Sequence, residues 1–198
     1  MTTRTSHILL VMSAFLAGLV IFLGVFLFAT GNFGGSGPGA SAIGGPFKLI
    51  DQNGKPFTDQ DLKGKPFLIF FGYTHCPDVC PTTLFEVSEL MNALGKDADR
   101  TKAVFITVDP ERDTAAAMKD YLSSFDPHLI GATGDRKSID AAEKAYRVYA
   151  KKIPTKDGDY SMDHTALVYL MDKDGRFVAP FSLKRSPEAA AADLRKYM

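Results

Sequence analysis

The strongest constraint on this chain is a long apolar run near its start. Residues 8–30 read ILLVMSAFLAGLVIFLGVFLFAT and contain no Asp, Glu, Lys or Arg. As a helix the run would extend about 34 Å, which is enough to cross the roughly 30 Å hydrocarbon core of a bilayer. We therefore predict one transmembrane helix at residues 8–30. A cleaved secretory signal is the alternative, although its apolar region is usually only about 7–15 residues long.

The charges around this run predict its orientation. Arg4, with His7 as a possible helper, lies on the short N-terminal side, and the nearest downstream base is Lys48. Positive residues that flank a span tend to stay in the cytoplasm. We therefore expect residues 1–7 to be a cytoplasmic N-terminus. The larger C-terminal part would then be exported, anchored in the inner membrane with its domain in the periplasm or in the equivalent intermembrane space.

The chain changes character twice after the predicted span. Residues 31–46 read GNFGGSGPGASAIGGP, an uncharged Gly-rich composition typical of a flexible tether. Residues 47–198 carry nearly all of the charged side chains and form the predicted domain. The whole chain has 23 Lys and Arg against 23 Asp and Glu. This balance excludes a basic nucleic-acid-binding protein and an acidic disordered tail.

The domain alternates strand and helix patterns, which predicts an α/β sandwich with a mixed sheet. An N-terminal hairpin turns at an Asn-Gly pair, and a continuous apolar strand then leads into a helix that stops at Gly95. The further expectations are strands at residues 102–108 and 129–133, helices at 113–124 and 138–150, a hairpin at 165–182 and a last helix from Ser186.

Both cysteines, Cys76 and Cys80, follow the first apolar strand, at the edge where α/β folds bind ligands. A helix starting near Cys76 would place them on one face, where the helix dipole favours thiolate. Four interpretations remain open: a structural disulfide, a zinc site, dithiol redox chemistry and soft-metal binding, above all of Cu(I). Zinc in a closed site would need a further Cys or His pair.

A third metal donor would have to be a histidine. His7 is excluded by its place at the membrane edge, His75 is predicted to point away from Cys76, and His128 has the setting of a surface residue in a loop. His164 comes just before the apolar strand at residues 165–171, so it lies at a sheet terminus. The spacing does not by itself establish a contact between His164 and the cysteines.

Three blocks of the sequence resemble the Sco/SenC copper chaperones. They are HCPDVCP at residues 75–81, VDPERDT at 108–114 and DHT at 163–165, and the resemblance covers essentially the whole chain. It implies a thioredoxin-like fold with an N-terminal hairpin extension, and copper bound by Cys76, Cys80 and His164. The middle block has an expected structural role, with Asp109 ending a strand and Asp113 capping a helix. Asp78 and Asp163 are candidates to tune the site or to hydrogen-bond the histidine.

The resemblance also implies a function and its partners. The family delivers copper to cytochrome c oxidase during assembly, chiefly to the CuA centre, so the copper-bearing oxidase subunit is the expected acceptor. Another copper chaperone as donor and a thioredoxin-like reductant are the other expected partners. Two thiolates and an imidazole suit Cu(I), and with an added oxygen donor they accept Cu(II). Such a protein is a metallochaperone rather than an enzyme.

A thiol-disulfide oxidoreductase is the alternative, because some members of that family act mainly as thiol reductases. Its redox-active pair would be Cys76 and Cys80, and its role would be to keep the cysteines of the oxidase copper site, or of other exported proteins, reduced. Thioredoxin-like oxidoreductases carry a proline just before the strand that faces the redox helix. This chain has Met162-Asp163-His164 there.

Overall fold

The computed structural model describes residues 12–23, 25–26 and 43–198. Residues 12–23 and 25–26 are helical, and their large apolar side chains are exposed. Within the described residues, we find no helix with both the length and the apolar character needed to cross a membrane. The predicted cytoplasmic segment 1–7, parts of the predicted span and tether residues 31–42 lie outside the described residues. The anchor and the tether therefore stay predictions.

Residues 43–198 form an α/β unit with nine strands and four α-helices. The strands are β1 (Lys48–Asp51), β2 (Pro56–Thr58), β3 (Phe67–Gly72), β4 (Lys102–Thr107), β5 (Leu129–Thr133), β6 (Ala150–Pro154), β7 (Tyr160–His164), β8 (Val168–Met171) and β9 (Phe177–Pro180). The helices are α1 (Val79–Leu94), α2 (Ala115–Leu122), α3 (Arg136–Tyr146) and α4 (Pro187–Leu194). Short 3₁₀ helices span Asp59–Leu62, Gly95–Arg100 and Arg195–Tyr197.

Seven strands form one mixed sheet in the order β2-β1-β5-β4-β3-β8-β9. The central strands β3, β4 and β5 are parallel, and the remaining pairings are antiparallel. Strand β3 lies between β4 and β8 and is buried along its whole length, as its continuous apolar run predicts. The C-terminal end of β3 is therefore flanked by strands on both sides and buried in the core.

Helices cover both faces of this sheet. On one face Phe70 and Phe105 stack with ring centroids 5.8 Å apart, and Phe105 also packs against Tyr121 of α2. Helix α1 packs on the same face through Leu84 and Val87 and contacts α4. On the other face Phe71 packs against Tyr146 of α3. The mixed sheet between helices confirms the predicted α/β sandwich.

Strands β6 and β7 form a separate two-stranded antiparallel sheet that the sequence analysis missed. Their sequences, AKKIP and YSMDH, carry few apolar residues, and β6 is exposed from Lys151 to Pro154. The two strands were not predicted because apolar and polar residues alternate too weakly in them. The hairpin turns at Gly158, whose φ of 86° lies in the left-handed region.

Most other elements follow the predicted pattern, but several differ in their bounds. Helix α2 covers Ala115–Leu122 rather than residues 113–124. Strand β8 begins at Val168 rather than at residue 165, so His164 ends β7 instead of directly preceding β8. Helix α1 begins at Val79 rather than near Cys76. Helix α3 runs over Arg136–Tyr146 rather than over residues 138–150, because Asp135 caps it by accepting a hydrogen bond from the Ser138 backbone N–H. The N-terminal hairpin, strand β5 and the Ser186 cap of α4 are as predicted.

Candidate metal centre

The two cysteines lie in the connection from β3 to α1. Cys76 lies in the turn before α1, where its backbone N–H donates to the Tyr73 carbonyl at 3.2 Å, and Cys80 lies in the first turn of the helix. The expectation that both share one face of a helix is therefore wrong. They are nevertheless close, because the Cys80 backbone N–H points at Cys76 Sγ from 3.5 Å. Both thiols are free.

Cys80 belongs to the protein core, whereas Cys76 is partly exposed. Cys80 Sγ fits beside Gly72, where an added Cβ would lie only 2.7 Å from the sulfur and 2.7 Å from Phe105. Burial raises the pKa of the Cys80 thiol. This direction is opposite to the predicted effect of the helix dipole, so desolvation dominates at this thiol.

His164 ends strand β7, and its imidazole faces the cysteines. Its Nδ1 is 3.1 Å from the Thr165 carbonyl oxygen. A carbonyl can only accept, so Nδ1 carries the proton and Nε2 keeps a lone pair. That Nε2 lies 3.9 Å from Cys80 Sγ. Burial lowers the pKa of His164, which favours the neutral imidazole that a metal requires.

Two aromatic rings hold the His164 imidazole in place. Tyr73 packs edge-on against it at 5.8 Å and an interplanar angle of 88°, and Phe70 packs at 6.4 Å and 66°. Both aromatic residues come from β3 or from the residue that follows it. The segment that leads to the cysteines therefore also orients the histidine ring.

Together, Cys76, Cys80 and His164 place one donor atom each within 4.8 Å of one another. Among the described residues this is the only such group of three or more Cys, His, Asp or Glu side chains. A metal that binds sulfur at about 2.3 Å and nitrogen at about 2.0 Å can contact one of each when they are no more than about 4.3 Å apart. The 3.9 Å between Cys80 Sγ and His164 Nε2 meets this limit. A closed zinc site usually has four protein ligands, whereas two thiolates and one imidazole suit a soft, low-coordinate ion.

A buried carboxylate fixes the segment that carries Cys76. Asp113 accepts hydrogen bonds from the Thr74 backbone N–H at 3.0 Å and from the Thr74 hydroxyl at 2.6 Å. It also accepts one from the Thr107 hydroxyl at 2.7 Å. The prediction that Asp113 caps a helix is wrong, because the side chain of Thr114 caps α2. The short polar side chain of Asp113 instead ties the β3–α1 connection to β4.

The other candidate residues lie apart from this group of donors. His75 is exposed and contacts the Thr74 hydroxyl, and His128 pairs with Asp126 at 2.7 Å. Asp78 and Asp163 are both exposed, and the Nδ1 partner of His164 is the Thr165 carbonyl, so the predicted hydrogen bond to a carboxylate is wrong. The negative charge of Asp163 does act on His164, because it opposes the effect of burial on the pKa of the imidazole. His7 lies outside the described residues.

The chain is similar to known proteins both in sequence and in fold. The model of the SCO1/SenC family matches residues 35–198. An SCO2-like protein of Rickettsia conorii is 42% identical over 155 residues, covering 77% of this chain and 76% of the relative. The mitochondrial SCO1 homolog of Mus musculus is 40% identical over 163 residues, covering 81% of this chain and 57% of the relative.

Two solved structures are similar to this chain in fold as well as in sequence. The copper-bound ScoI of Bradyrhizobium japonicum is 72% identical with a TM-score of 0.77, covering 79% of this chain and 99% of that one. Copper-bound yeast Sco1 is 36% identical with a TM-score of 0.72, covering 79% of this chain and 88% of that one. These matches confirm the predicted thioredoxin-like α/β fold.

Proposed function

Because the chain belongs to the SCO1/SenC family, we propose that it is a copper chaperone that serves cytochrome c oxidase assembly, with the CuA centre as the acceptor. The observation that carries the proposal is the convergence of Cys76, Cys80 and His164 donor atoms within 4.8 Å. These three residues would be the copper ligands. The copper-bound state of the 72% identical ScoI supports the choice of metal.

The donor set explains how one site could hold copper in both oxidation states. Two thiolates and one imidazole give Cu(I) a three-coordinate soft site, and an added oxygen donor would complete a site for Cu(II). His164 Nε2, which keeps its lone pair, lies 3.9 Å from Cys80 Sγ. The thiol protons must leave when the metal enters, so copper affinity should fall as the pH falls.

The difference in exposure between the two cysteines suggests the route of transfer. Cys76 is partly exposed and Cys80 is buried. An acceptor thiolate would therefore reach the metal from the Cys76 side and displace that ligand first. Residues 8–30 would anchor the chain in the inner membrane, and the tether at residues 31–46 would let the exported domain search the membrane face for its acceptor. A donor chaperone and a thioredoxin-like reductant are the further partners that we propose.

Copper titration of the reduced full-length protein in detergent tests this function. We expect one copper per chain. Replacing either Cys76 or Cys80 with Ser should lower the affinity by more than the roughly 10–100-fold that outer partners of a metal site contribute. His164→Ala should weaken binding strongly while leaving the thiols able to form a disulfide. A protein that binds no copper, or His164→Ala with unchanged affinity, would refute the ligand assignment.

Thiol-disulfide exchange is the second candidate, and the closeness of the two sulfurs favours it. In that reaction the Cys76 thiolate would attack a disulfide of an exported protein. Cys80 would then resolve the mixed disulfide, so that the target gains two electrons and this chain keeps a disulfide. Reduction of an oxidase copper-site disulfide by the His164→Ala variant at the wild-type rate, together with wild-type copper binding too weak for delivery, would favour this candidate.

A further inference from the structure

The residues that follow β4 include an ion pair, Asp109 and Arg112, that is separate from the three proposed ligands. Asp109 is only 1% exposed and forms an ion pair with the Nε of Arg112. The other oxygen of Asp109 accepts a hydrogen bond from the hydroxyl of Tyr160 at 2.9 Å. Tyr160 lies 51 residues further along the chain, as the first residue of β7. The carboxylate therefore joins the main sheet to the hairpin that carries His164.

Arg112 makes the same connection a second time. Its Nη1 donates to the Tyr160 carbonyl at 3.0 Å and to Asp159 at 3.3 Å. Its guanidinium group lies 3.8 Å from the centroid of the Tyr160 ring and 5.7 Å from that of Tyr73. An arginine that is stacked and hydrogen-bonded in this way has little freedom to change its rotamer. Tyr160 is thus held at its ring, its hydroxyl and its backbone.

The position of Tyr160 fixes the far end of the same strand. Side chains two residues apart in a strand point to the same side, so Tyr160, Met162 and His164 share one face of β7. Met162 is buried, and the two end residues are half-buried. Strand β7 pairs only with the largely exposed β6 within the described part of the chain. The hairpin therefore depends on these polar contacts more than a strand of the main sheet would.

We propose that Asp109, Arg112 and Tyr160 form a positioning clamp that holds β7 so that His164 Nε2 stays beside the two sulfurs. The proposal rests on the proposed copper binding, and the clamp residues are not among the three candidate donors. A loosened clamp leaves both thiolates in place and lets the imidazole move away. The consequence for copper is therefore a partial loss of affinity that depends on His164.

A double-mutant cycle on copper affinity tests the clamp in the full-length protein. Tyr160→Phe removes one hydroxyl and keeps the ring under Arg112, so this variant should fold. We expect it to weaken Cu(II) binding by about 10-fold, the lower end of the usual effect of groups that orient a metal ligand. In the His164→Ala background the same change should alter affinity by less than about 2-fold, because residues that act through one another are not additive.

Electron paramagnetic resonance of the Cu(II) form gives a second readout. The nitrogen hyperfine coupling of the wild type should be weakened or heterogeneous in Tyr160→Phe. The matched control, Tyr197→Phe, changes a tyrosine of the C-terminal 3₁₀ helix and should leave both affinity and spectrum unchanged. An equal loss of affinity in both backgrounds, or no loss in either, would overturn the clamp.

The failure of the proposed function would look different from the failure of the clamp. If the wild type binds no copper, the proposed function is refuted. The clamp is then tested by amide hydrogen exchange in the copper-free protein. Tyr160→Phe should then accelerate exchange in β7, whereas Tyr197→Phe should not. Unchanged exchange in β7 would overturn the clamp independently of copper.

Discussion

The proposed copper site joins two regions with different kinds of support. The β3–α1 connection supplies the sulfurs from the protein core, where Cys80 is fully buried beside Gly72. The β6–β7 hairpin supplies the imidazole from a small, largely exposed sheet. Core packing fixes the first region. The second has less packing, from the buried Met162 and the two rings against His164, and depends more on its polar contacts to Asp109 and Arg112. The thiols are therefore preorganised by the fold, whereas the histidine has the weaker support and the greater freedom to move.

Amide hydrogen exchange should show the largest difference between the two regions. We expect amides of β3 and α1 to exchange only on global unfolding, which costs about 5–15 kcal/mol in ordinary domains. Amides of β6 and β7 should exchange through local opening, orders of magnitude faster. Saturating copper should slow the hairpin amides, because metal binding stabilises the closed form. Equal protection of both regions in the copper-free protein would contradict this comparison.

Two matched threonine variants, one in each region, should lower the free energy of unfolding by different amounts. Thr74→Val removes a hydroxyl that donates to the buried Asp113, and bonds to charged groups are worth about 1.5–3 kcal/mol. Thr155→Val removes a similar bond to Asp157 in the exposed hairpin turn, where substitutions usually change stability by less than about 0.5 kcal/mol. Urea unfolding of both variants measures the difference. Similar free energies of unfolding would show that Asp113 does not anchor the connection as we describe.

Gly72→Ala should disturb the sulfur side directly. The added Cβ would lie 2.7 Å from Cys80 Sγ, so the sulfur or the backbone must shift. Overpacking of this kind costs about 1–3 kcal/mol, and we expect copper affinity to fall with it. Gly45→Ala is the control, since its Cβ would meet only Ala145 at 3.3 Å, away from the site. A Gly72→Ala protein with wild-type stability and copper affinity would refute the tight fit.

The sequence predicted the core-dependent region better than the hairpin. The continuous apolar run of β3 and the Gly95 stop are local signals, and both hold in the structure. The predicted start of α1 was three residues too early. Asp78, a residue type that helix N-caps favour, occupies the N-cap position and was the local signal for the later start. The β6–β7 hairpin was missed because β6 is mostly exposed and β7 has only one buried residue, Met162, so neither strand shows the sustained apolar alternation that predicts a strand.

The third donor also required more than local sequence reasoning. Its spacing from the cysteines left His164 undecided, and the family resemblance was needed to select it. The roles of Asp113 and of the Asp109–Arg112 pair depend on contacts between residues 39 to 51 positions apart. Such contacts leave no periodic pattern in one sequence. The position of Asp109 two residues after the apolar strand β4 is a local hint for that residue alone, and Asp113 lies six residues beyond the strand.

The two regions should also respond to pH in opposite directions, which is the smallest effect that we predict. Burial lowers the pKa of His164, so below the ordinary histidine value of about 6.5 the unfolded chain binds a proton that the folded chain does not. The contribution of His164 to the free energy of unfolding is therefore fully present above that pH and is lost as the pH drops below it. Burial raises the pKa of Cys80, so its contribution falls as the pH rises past the ordinary thiol value of about 8.5.

In the reduced, copper-free protein, His164→Gln should flatten only the acid limb of the free energy of unfolding against pH, and Cys80→Ser only the alkaline limb. Unchanged slopes in both variants would mean that neither buried group carries the pH dependence of folding.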